Sequence, residues 1–269
     1  MMKCVRTMRP ATEKIMNSWA KGCDGTIINP IKDDQDMPYD TYAFLGVLRG
    51  SGDMIKKCIQ KNYDYYFIDH AYFDAGHNKK PSWYRVTKND HVQNKLLDCT
   101  SDRWHKYFNK SIKPWRSGNK VIVCPPTGAM EWMFDTHDWL NTTVDALKQK
   151  TDREIVVRDK PMNPQVKRID GVTTINGFIK TKQDNPLSED LADAYCVVTL
   201  NSGVGVTAII EGIPVVCGPE CAAFPVSNTL DAIEDLQTFD RQPWLNSLAH
   251  SQFTLEEMAS GYAYEFCTL

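Results

Sequence analysis

Short apolar runs alternate with amphipathic stretches along most of the chain. The clearest runs are nearly continuous in apolar residues, as in strands buried on both faces: Tyr42–Leu48, Tyr65–Asp69, Lys120–Cys124, Glu154–Val157 and Cys196–Leu200. Stretches with helical spacing follow some of them, for example 53–61 and 136–150. This alternation predicts a doubly wound α/β fold with parallel sheets, arranged as two Rossmann-like domains that face each other across a cleft.

Local signals place several smaller elements. Residues 10–21 have the spacing of an amphipathic helix, and 25–30 contain a short strand. Gly212 is positioned to end the helix that follows the strand at Cys196–Leu200. The pair Thr254 and Glu257 has capping-box spacing, which predicts a further helix start. We therefore expect a first domain at 1–117, a second at 118–245 and closing helices at 246–269.

Composition narrows the class of protein. The 269 residues are 42% hydrophobic and 24% charged, which is ordinary for a globular protein and excludes a disordered tail, a collagen-like fibre or a disulfide miniprotein. No apolar stretch approaches the roughly 18 residues of a membrane helix, and the first twenty residues lack the apolar core of a signal peptide. Nine cysteines without a C-x-x-C pair are typical of reduced core thiols. We expect a cytoplasmic protein with no membrane partner.

The net charge of −3 conceals an asymmetry. Residues 79–120 contain eleven Lys or Arg against three Asp, a local charge of +8 that leaves −11 for the rest of the chain. Aromatic residues are interleaved with these cations, and we name 79–117 the basic aromatic connector. Cations and flat rings together are typical of a polyanion-binding surface, although a solvated face over a small hydrophobic cluster has the same composition. The candidate contacts are Arg85, Lys88, His91, Arg103 and Trp104.

Polar and basic residues follow three strands of the second predicted domain. Small, polar and basic side chains stand directly after these strands: Thr127, Gly128, Arg158, Lys160, Asn201, Ser202, Gly203 and Gly205. Ligands of open parallel sheets bind beyond the carboxyl ends of the strands, where backbone amides and cations can hold phosphates. The pattern predicts a diphosphate site, whereas in the alternative interpretation Asn201 and Ser202 only cap a helix.

The stretch Leu187–Gly218 resembles the donor-binding half of GT-B glycosyltransferases, most closely the capsule-polysaccharide and sialyltransferase-like groups. Arg158-Asp159-Lys160-Pro161 stands where that family has a basic motif, with Lys160 in place of its His. Thr207 occupies the position that often carries a ribose-binding Glu, and Glu211 lies one turn later. The resemblance implies a nucleotide-sugar co-substrate, such as a UDP-sugar, with no further cofactor. It also implies that Thr207 and Glu211 contact this donor.

The first domain is similar to proteins of tailed phages in three stretches: Tyr42–Gly52, Tyr65–Phe73 and Trp83–His91. Some phage glycosyltransferases attach sugars to hydroxymethylated pyrimidines of their own DNA. The resemblance thus implies 5-hydroxymethylpyrimidine in phage DNA as the acceptor, bound as double-stranded DNA in the host cytoplasm. Such an acceptor would also account for a basic aromatic connector in an acidic chain.

Transfer to a hydroxyl needs a general base within hydrogen-bond reach. Asp69, at the end of the strand at Tyr65–Asp69, is the candidate base, with His70 as its orienting partner or substitute. The alternative role for Asp69 is a turn cap. The nearest approach to a metal-binding carboxylate motif is Asp33, Asp34 and Asp36, in a polar loop without a preceding apolar strand. We therefore expect no metal, with Arg158 and Lys160 stabilising the leaving diphosphate.

Other functions are compatible with the same residues. A glycosyltransferase of this kind could act on a polysaccharide or a lipid-linked sugar. A nucleotide-sugar epimerase would need the phosphate site but not the basic aromatic connector. A DNA-binding module would need the connector but not the phosphate site. The sugar, the nucleotide, the stereochemical outcome and the oligomeric state stay open at this point.

Overall fold

The computed structural model describes residues 2–6, 10–29, 37–75, 81–159, 173–175 and 186–268. The chain divides into two compact units, each built around one sheet. The first unit comprises Met1–Gln93, Leu97–Asn109 and Leu245–Leu269, and the second comprises Asn94–Leu96 and Lys110–Trp244. The unit boundary thus lies at about residue 110 rather than 118, and the final segment of the chain belongs to the first unit.

Strands and helices alternate through both units. The strands are β1 (Lys3–Val5), β2 (Thr26–Ile28), β3 (Thr41–Leu45), β4 (Asp64–His70), β5 (Trp83–Lys88), β6 (Lys120–Cys124), β7 (Ile155–Arg158), β8 (Thr173–Ile175), β9 (Ala194–Thr199), β10 (Val215–Val216) and β11 (Gln252–Thr254). The helices are α1 (Pro10–Gly22), α2 (Ser51–Lys61), α3 (Asp102–Tyr107), α4 (Gly128–Phe134), α5 (Trp139–Lys150), α6 (Leu187–Asp190), α7 (Val204–Ile210), α8 (Gln242–His250), α9 (Leu255–Ala259) and α10 (Tyr262–Thr268).

The sheet of the first unit has the order β11-β5-β4-β3-β1-β2. Strands β2, β1, β3 and β4 are parallel, whereas β5 is antiparallel to both of its neighbours. Trp19, Tyr66 and Phe253 are fully or almost fully buried in the core between this sheet and the helices α1, α9 and α10. Strand β3 ends at Leu45 rather than Leu48, because the chain turns at Gly46, where φ is +63°.

The last 25 residues contain more than closing helices. Strand β11 pairs with β5, so this segment completes one edge of the first sheet. The predicted capping box is confirmed. The Thr254 hydroxyl accepts a hydrogen bond from the Glu257 N–H at 3.2 Å, and the Glu257 carboxylate accepts one from the Thr254 N–H at 2.9 Å. This box begins α9 directly at the end of β11.

The sheet of the second unit is parallel throughout, in the order β10-β9-β6-β7-β8. The chain starts at β6 and builds outward through β7 and β8. It then returns to the other side of β6 for β9 and β10, which is the Rossmann order. Val123, Val157 and Val198 lie in the core beneath α5. The connectivity therefore reverses between β6 and β9.

Two turns set the helix boundaries in this unit. Asp135 and Asp138 have φ of +53° and +64°, so α4 ends at Phe134 and the helix predicted from 136 begins at Trp139 instead. Gly212 has φ of +77°, and a Cβ there would lie 2.0 Å from the Pro114 carbonyl oxygen. Glycine thus ends α7 as predicted, because a side chain would be both strained and obstructed. Among the described residues, no helix is long and apolar enough to cross a bilayer.

Candidate active site

The reversal point of the second sheet joins two loops through one buried threonine. The Thr199 hydroxyl, at the end of β9, donates a hydrogen bond to the Cys124 carbonyl oxygen at the end of β6, at 2.8 Å. The Thr199 hydroxyl oxygen in turn accepts a bond from the Ser202 N–H at 3.1 Å. Thr199 thereby links the loops 125–128 and 200–203 at the edge where ligands of such sheets bind. The sequence analysis missed this residue, although a polar side chain ending an otherwise apolar strand was a usable signal.

The loop 200–203 combines internal bonds with unused polar groups. The Ser202 hydroxyl accepts a hydrogen bond from the Val204 N–H at 3.2 Å, so this side chain has the capping role of the alternative interpretation. Within the described part of the chain, neither the Asn201 side chain nor the Gly203 N–H has a hydrogen-bond partner. A Cβ placed on Gly203 would meet nothing within 4 Å, so the space beside this loop is open.

The facing loop carries Thr127 and Gly128, both half-buried. Thr127 precedes α4, yet its hydroxyl makes no capping hydrogen bond; its carbonyl oxygen instead accepts bonds from the Met130 and Glu131 N–H groups. A threonine at this position usually caps the helix with its side chain. Its hydroxyl is therefore available to a ligand at this edge.

Arg158 ends β7 in a buried ion pair. Its Nε donates a hydrogen bond to the Asp190 carboxylate of α6, and the two side chains are only 8% and 6% exposed. Burial raises the pKa of the neighbouring Cys124 thiol to about 12, although the Arg158 charge opposes this rise. This ion pair connects α6 to β7. The contact of Arg158 with a diphosphate stays a prediction, because the hydrogen bond of its Nε is to Asp190. Lys160 and the Asp33–Asp36 loop lie outside the described residues.

Three further candidates of the second unit occupy α7. A Cβ on Gly205 would lie 3.1 Å from the Cys221 sulfur, so this glycine permits close packing. Thr207 lies one turn into the helix, where its hydroxyl reaches back to the Gly203 carbonyl oxygen at 3.5 Å. Glu211 follows the helix end, about 12 Å along the axis from Gly203, and forms an ion pair with Lys113. Glu211 therefore does not belong to the cluster at the reversal point.

The first unit has a pocket of about 180 Å³ at the carboxyl ends of β3 and β4. Asp69 and His70 line it together with Arg49, Tyr84 and the turn that follows β3. One Asp69 oxygen accepts a hydrogen bond from the His70 N–H at 2.8 Å, and the other lies 3.0 Å from Arg85 Nη2. The predicted base thus borders a small pocket, in a fixed orientation.

The described residues of the basic aromatic connector are divided between the two units, with 94–96 and 110–117 in the second. Arg85 and Lys88 lie on β5 and form ion pairs with Asp69 and Asp64, the second at 2.9 Å. His91 is buried, with its Nδ1 3.2 Å from the Asp90 carboxylate. The positive charges of Arg85 and Lys88 are therefore compensated within the first unit.

Arg103 and Trp104 lie inside the first unit. The Arg103 guanidinium donates hydrogen bonds to both Glu257 carboxylate oxygens and to two backbone carbonyl oxygens. Trp104 packs edge-on against Phe73, with ring centroids 5.1 Å apart. Four aromatic rings of the connector pack in one hydrophobic cluster with Phe73, as in the alternative interpretation. We therefore remove Arg103 and Trp104 from the acceptor contacts. The described residues include no group of three or more His, Cys, Asp or Glu positioned to bind a metal ion.

The predicted fold class is confirmed: the chain is an α/β protein with two Rossmann-like units, and its sheets are parallel except for the antiparallel strand β5 of the first unit. KpsC of Thermosulfurimonas dismutans shares this fold in two solved structures. Its beta Kdo 2,4 transferase matches with a TM-score of 0.54 and 15% identity, over 94% of this chain and 92% of that chain. Its beta Kdo 2,7 transferase matches with a TM-score of 0.50 and 13% identity, over 99% and 98%. No protein-family model and no curated protein matches the sequence.

Proposed function

We propose that this chain is a glycosyltransferase that moves a sugar from a nucleotide sugar to a hydroxyl of a carbohydrate acceptor. The observation that carries the proposal is the reversal point of the second sheet, where Thr199 joins two loops that present unused polar groups. The shared fold with two Kdo transferases, over nearly the full length of each chain, supports the same class of enzyme.

In this proposal the second unit binds the donor. The Thr127 hydroxyl, the Asn201 amide and the Gly203 N–H are hydrogen-bond donors that suit phosphate oxygens. The open space at Gly203 lets the backbone approach the phosphates closely, as glycine does at the equivalent turns of dinucleotide-binding sheets. A UDP-sugar is the first donor to test. Since these contacts come from the protein itself, we expect activity to survive EDTA.

The first unit supplies the acceptor pocket and the base. The acceptor hydroxyl oxygen forms a bond to the anomeric carbon of the sugar while the bond between that carbon and the donor phosphate breaks. The hydroxyl proton passes to the Asp69 carboxylate, which the bonds from His70 and Arg85 hold in place. The nucleotide leaves with the electron pair of the broken bond.

The ion pairs of the connector favour a carbohydrate over DNA as the acceptor. A DNA-binding surface needs cations that can release counterions from phosphates. Arg85, Lys88 and Arg103 are instead paired with carboxylates of their own unit. We therefore propose a carbohydrate acceptor, and DNA is included as an alternative acceptor in the experiment below.

The test is mass spectrometry of products after incubation with a panel of nucleotide sugars. Parallel reactions contain oligosaccharide acceptors or hydroxymethylpyrimidine DNA. A mass gain of one sugar on an oligosaccharide supports the proposal, and a gain on the modified base would support the DNA acceptor. A nucleotide sugar converted to an isomer, with no acceptor modified, would identify an epimerase.

Two variants connect the activity to the pocket. Asp69→Asn keeps the shape of the side chain but removes its ability to take a proton at neutral pH, so transfer should fall about 100-fold or more. Asp53→Asn, on the exposed face of α2, is the matched control and should leave transfer unchanged. Full activity in Asp69→Asn would exclude Asp69 as the base.

A further inference from the structure

An aromatic side chain is exposed at the carboxyl edge of the second sheet. Phe224 opens a short 3-10 turn, Phe224–Val226, in the segment that follows β10. Its side chain is among the few large hydrophobic ones that are exposed, at 43%, whereas Cys221, Ala222 and Ala223 directly before it are buried. The chain thus changes from buried to exposed at this ring.

The segment before Phe224 packs on the loop of the candidate donor site. The Cys221 thiol lies 3.8 Å from the Ser202 carbonyl oxygen, at hydrogen-bond distance for sulfur. A Cβ on Gly205 would lie 3.4 Å from the Ala223 Cβ. Residues 221–223 therefore contact the loop 200–203 and the start of α7. Phe224 follows directly, which places it at the same corner of the sheet as Gly203.

Hydrogen bonds hold the backbone on both sides of this ring. The Trp244 indole N–H donates to the Ala222 carbonyl oxygen at 2.7 Å. The Phe224 N–H donates to the Cys221 carbonyl oxygen at 3.1 Å, and the Phe224 carbonyl oxygen accepts from the Ser227 hydroxyl at 2.9 Å. Because the backbone is already fixed, a ligand that stacks on the ring would lose little free energy to ordering the protein.

We propose that Phe224 is the platform on which the base of the nucleotide donor stacks. This inference rests on the proposed function, because it assigns the phosphates to the loop with Asn201 and Gly203. A flat heterocycle beside those phosphates needs a flat apolar surface, which a phenyl ring provides. Phenylalanine has no hydrogen-bonding group, so the ring adds affinity for any base and does not select among them.

The experiment is calorimetric titration of the full chain with UDP, CMP, GDP and ADP, and with inorganic pyrophosphate. Phe224→Ala should weaken nucleotide binding about tenfold, the order expected for one lost stacking contact. The affinity for pyrophosphate, which has no base, should not change. Phe224→Leu should weaken nucleotide binding as Phe224→Ala does. Leucine keeps an apolar side chain at this position but has no flat ring on which a base can stack.

Phe224→Trp supplies a readout that a purely structural role would not produce. It should retain nucleotide affinity, and its indole fluorescence should fall when a base stacks on it, relative to the same titration of the wild type. Ile59→Ala is the control, because Ile59 is a similarly exposed apolar side chain on α2 of the first unit. It should change none of these affinities.

The two proposals fail in different ways. If the wild type binds a nucleotide and Phe224→Ala binds it with the same affinity, the role of Phe224 is overturned and the donor site is retained. Equal weakening of nucleotide and pyrophosphate binding would also overturn it, because the variant would then have disturbed the phosphate loop. Wild-type protein that binds none of the four nucleotides would overturn the donor site itself.

Discussion

The hydroxyl of Thr199 donates a hydrogen bond to the carbonyl oxygen of Cys124 across the reversal point of the second sheet, at 2.8 Å. The same hydroxyl oxygen accepts the Ser202 N–H. One buried side chain therefore sets the distance between the two loops to which we assign the donor. Because Thr199 lies on β9 and Cys124 on β6, the shape of that site depends on the register between these two strands.

Thr199→Val should disturb this site without changing the size of the side chain. The substitution removes the hydroxyl that bonds the buried Cys124 carbonyl oxygen and the half-buried Ser202 N–H, which costs about 1–3 kcal/mol of unfolding free energy. Nucleotide binding should weaken as well, because the loop 200–203 loses its anchor. Urea unfolding and calorimetric titration measure the two effects.

Thr143→Val provides the matched control for that variant. Thr143 is also buried in the second unit, on α5, away from the reversal point. It should leave nucleotide affinity unchanged. Equal nucleotide affinity in Thr199→Val and the wild type would contradict the role given to the Thr199 hydroxyl.

The buried pair of Arg158 and Asp190 should be sensitive to loss of either partner. Arg158→Ala leaves an uncompensated buried carboxylate and should lower the unfolding free energy by about 3–5 kcal/mol. The double variant Arg158→Met with Asp190→Leu removes both charges and should be considerably more stable than the single one. Denaturant unfolding of the wild type and both variants measures this. A double variant as unstable as Arg158→Ala would show that packing, rather than an unpaired charge, causes the loss.

Two threonines that precede helices should respond differently to alanine. Thr254→Ala removes the cap of α9 and should cost about 1 kcal/mol of unfolding free energy. Thr127→Ala removes a hydroxyl that makes no capping bond, so it should change stability by only a few tenths of a kcal/mol. Nucleotide affinity should fall in Thr127→Ala and stay constant in Thr254→Ala. The opposite pattern of affinities would remove Thr127 from the donor site.

The ion pair of Glu257 and Arg103 should make part of the protein's unfolding free energy sensitive to acid. Burial by itself raises the pKa of Glu257, but hydrogen bonds and the charge of Arg103 bring it below the ordinary value. A carboxyl with a lowered pKa in the folded state contributes stability above its unfolded pKa of about 4.3, and this is lost as pH falls through the folded pKa. Unfolding free energy measured from pH 7 to pH 3 should therefore decline in the wild type.

Glu257→Gln should be less stable than the wild type at pH 7. Its unfolding free energy should also decline less steeply as the pH is lowered. Gln cannot titrate, and it leaves the buried Arg103 charge without its partner. Glu256→Gln, at the exposed neighbouring position, should follow the wild-type profile. An unchanged slope in Glu257→Gln would show that other carboxyls cause the acid sensitivity.

Local sequence patterns were sufficient for the elements whose causes are local. The apolar run Lys120–Cys124 is β6 with the predicted bounds, because its four consecutive buried positions after Lys120 need no distant information. Thr254 and Glu257 form the predicted capping box because both partners lie within one helical turn. Gly212 ends α7 because its φ of +77° is a local backbone conformation that favours glycine.

Tertiary structure decided the features that depend on partners far apart in the chain. The segment at β5 looks basic and exposed, but it lies inside the first sheet because β11 covers its outer edge. Arg103 is buried because Glu257, 154 residues away, neutralises it, and sequence spacing carries no signal for that pairing. Likewise, the order of β6 and β9 placed Thr199 at the candidate site. Burial of a charge and adjacency of strands are properties of the folded chain, so they followed only from its three-dimensional packing.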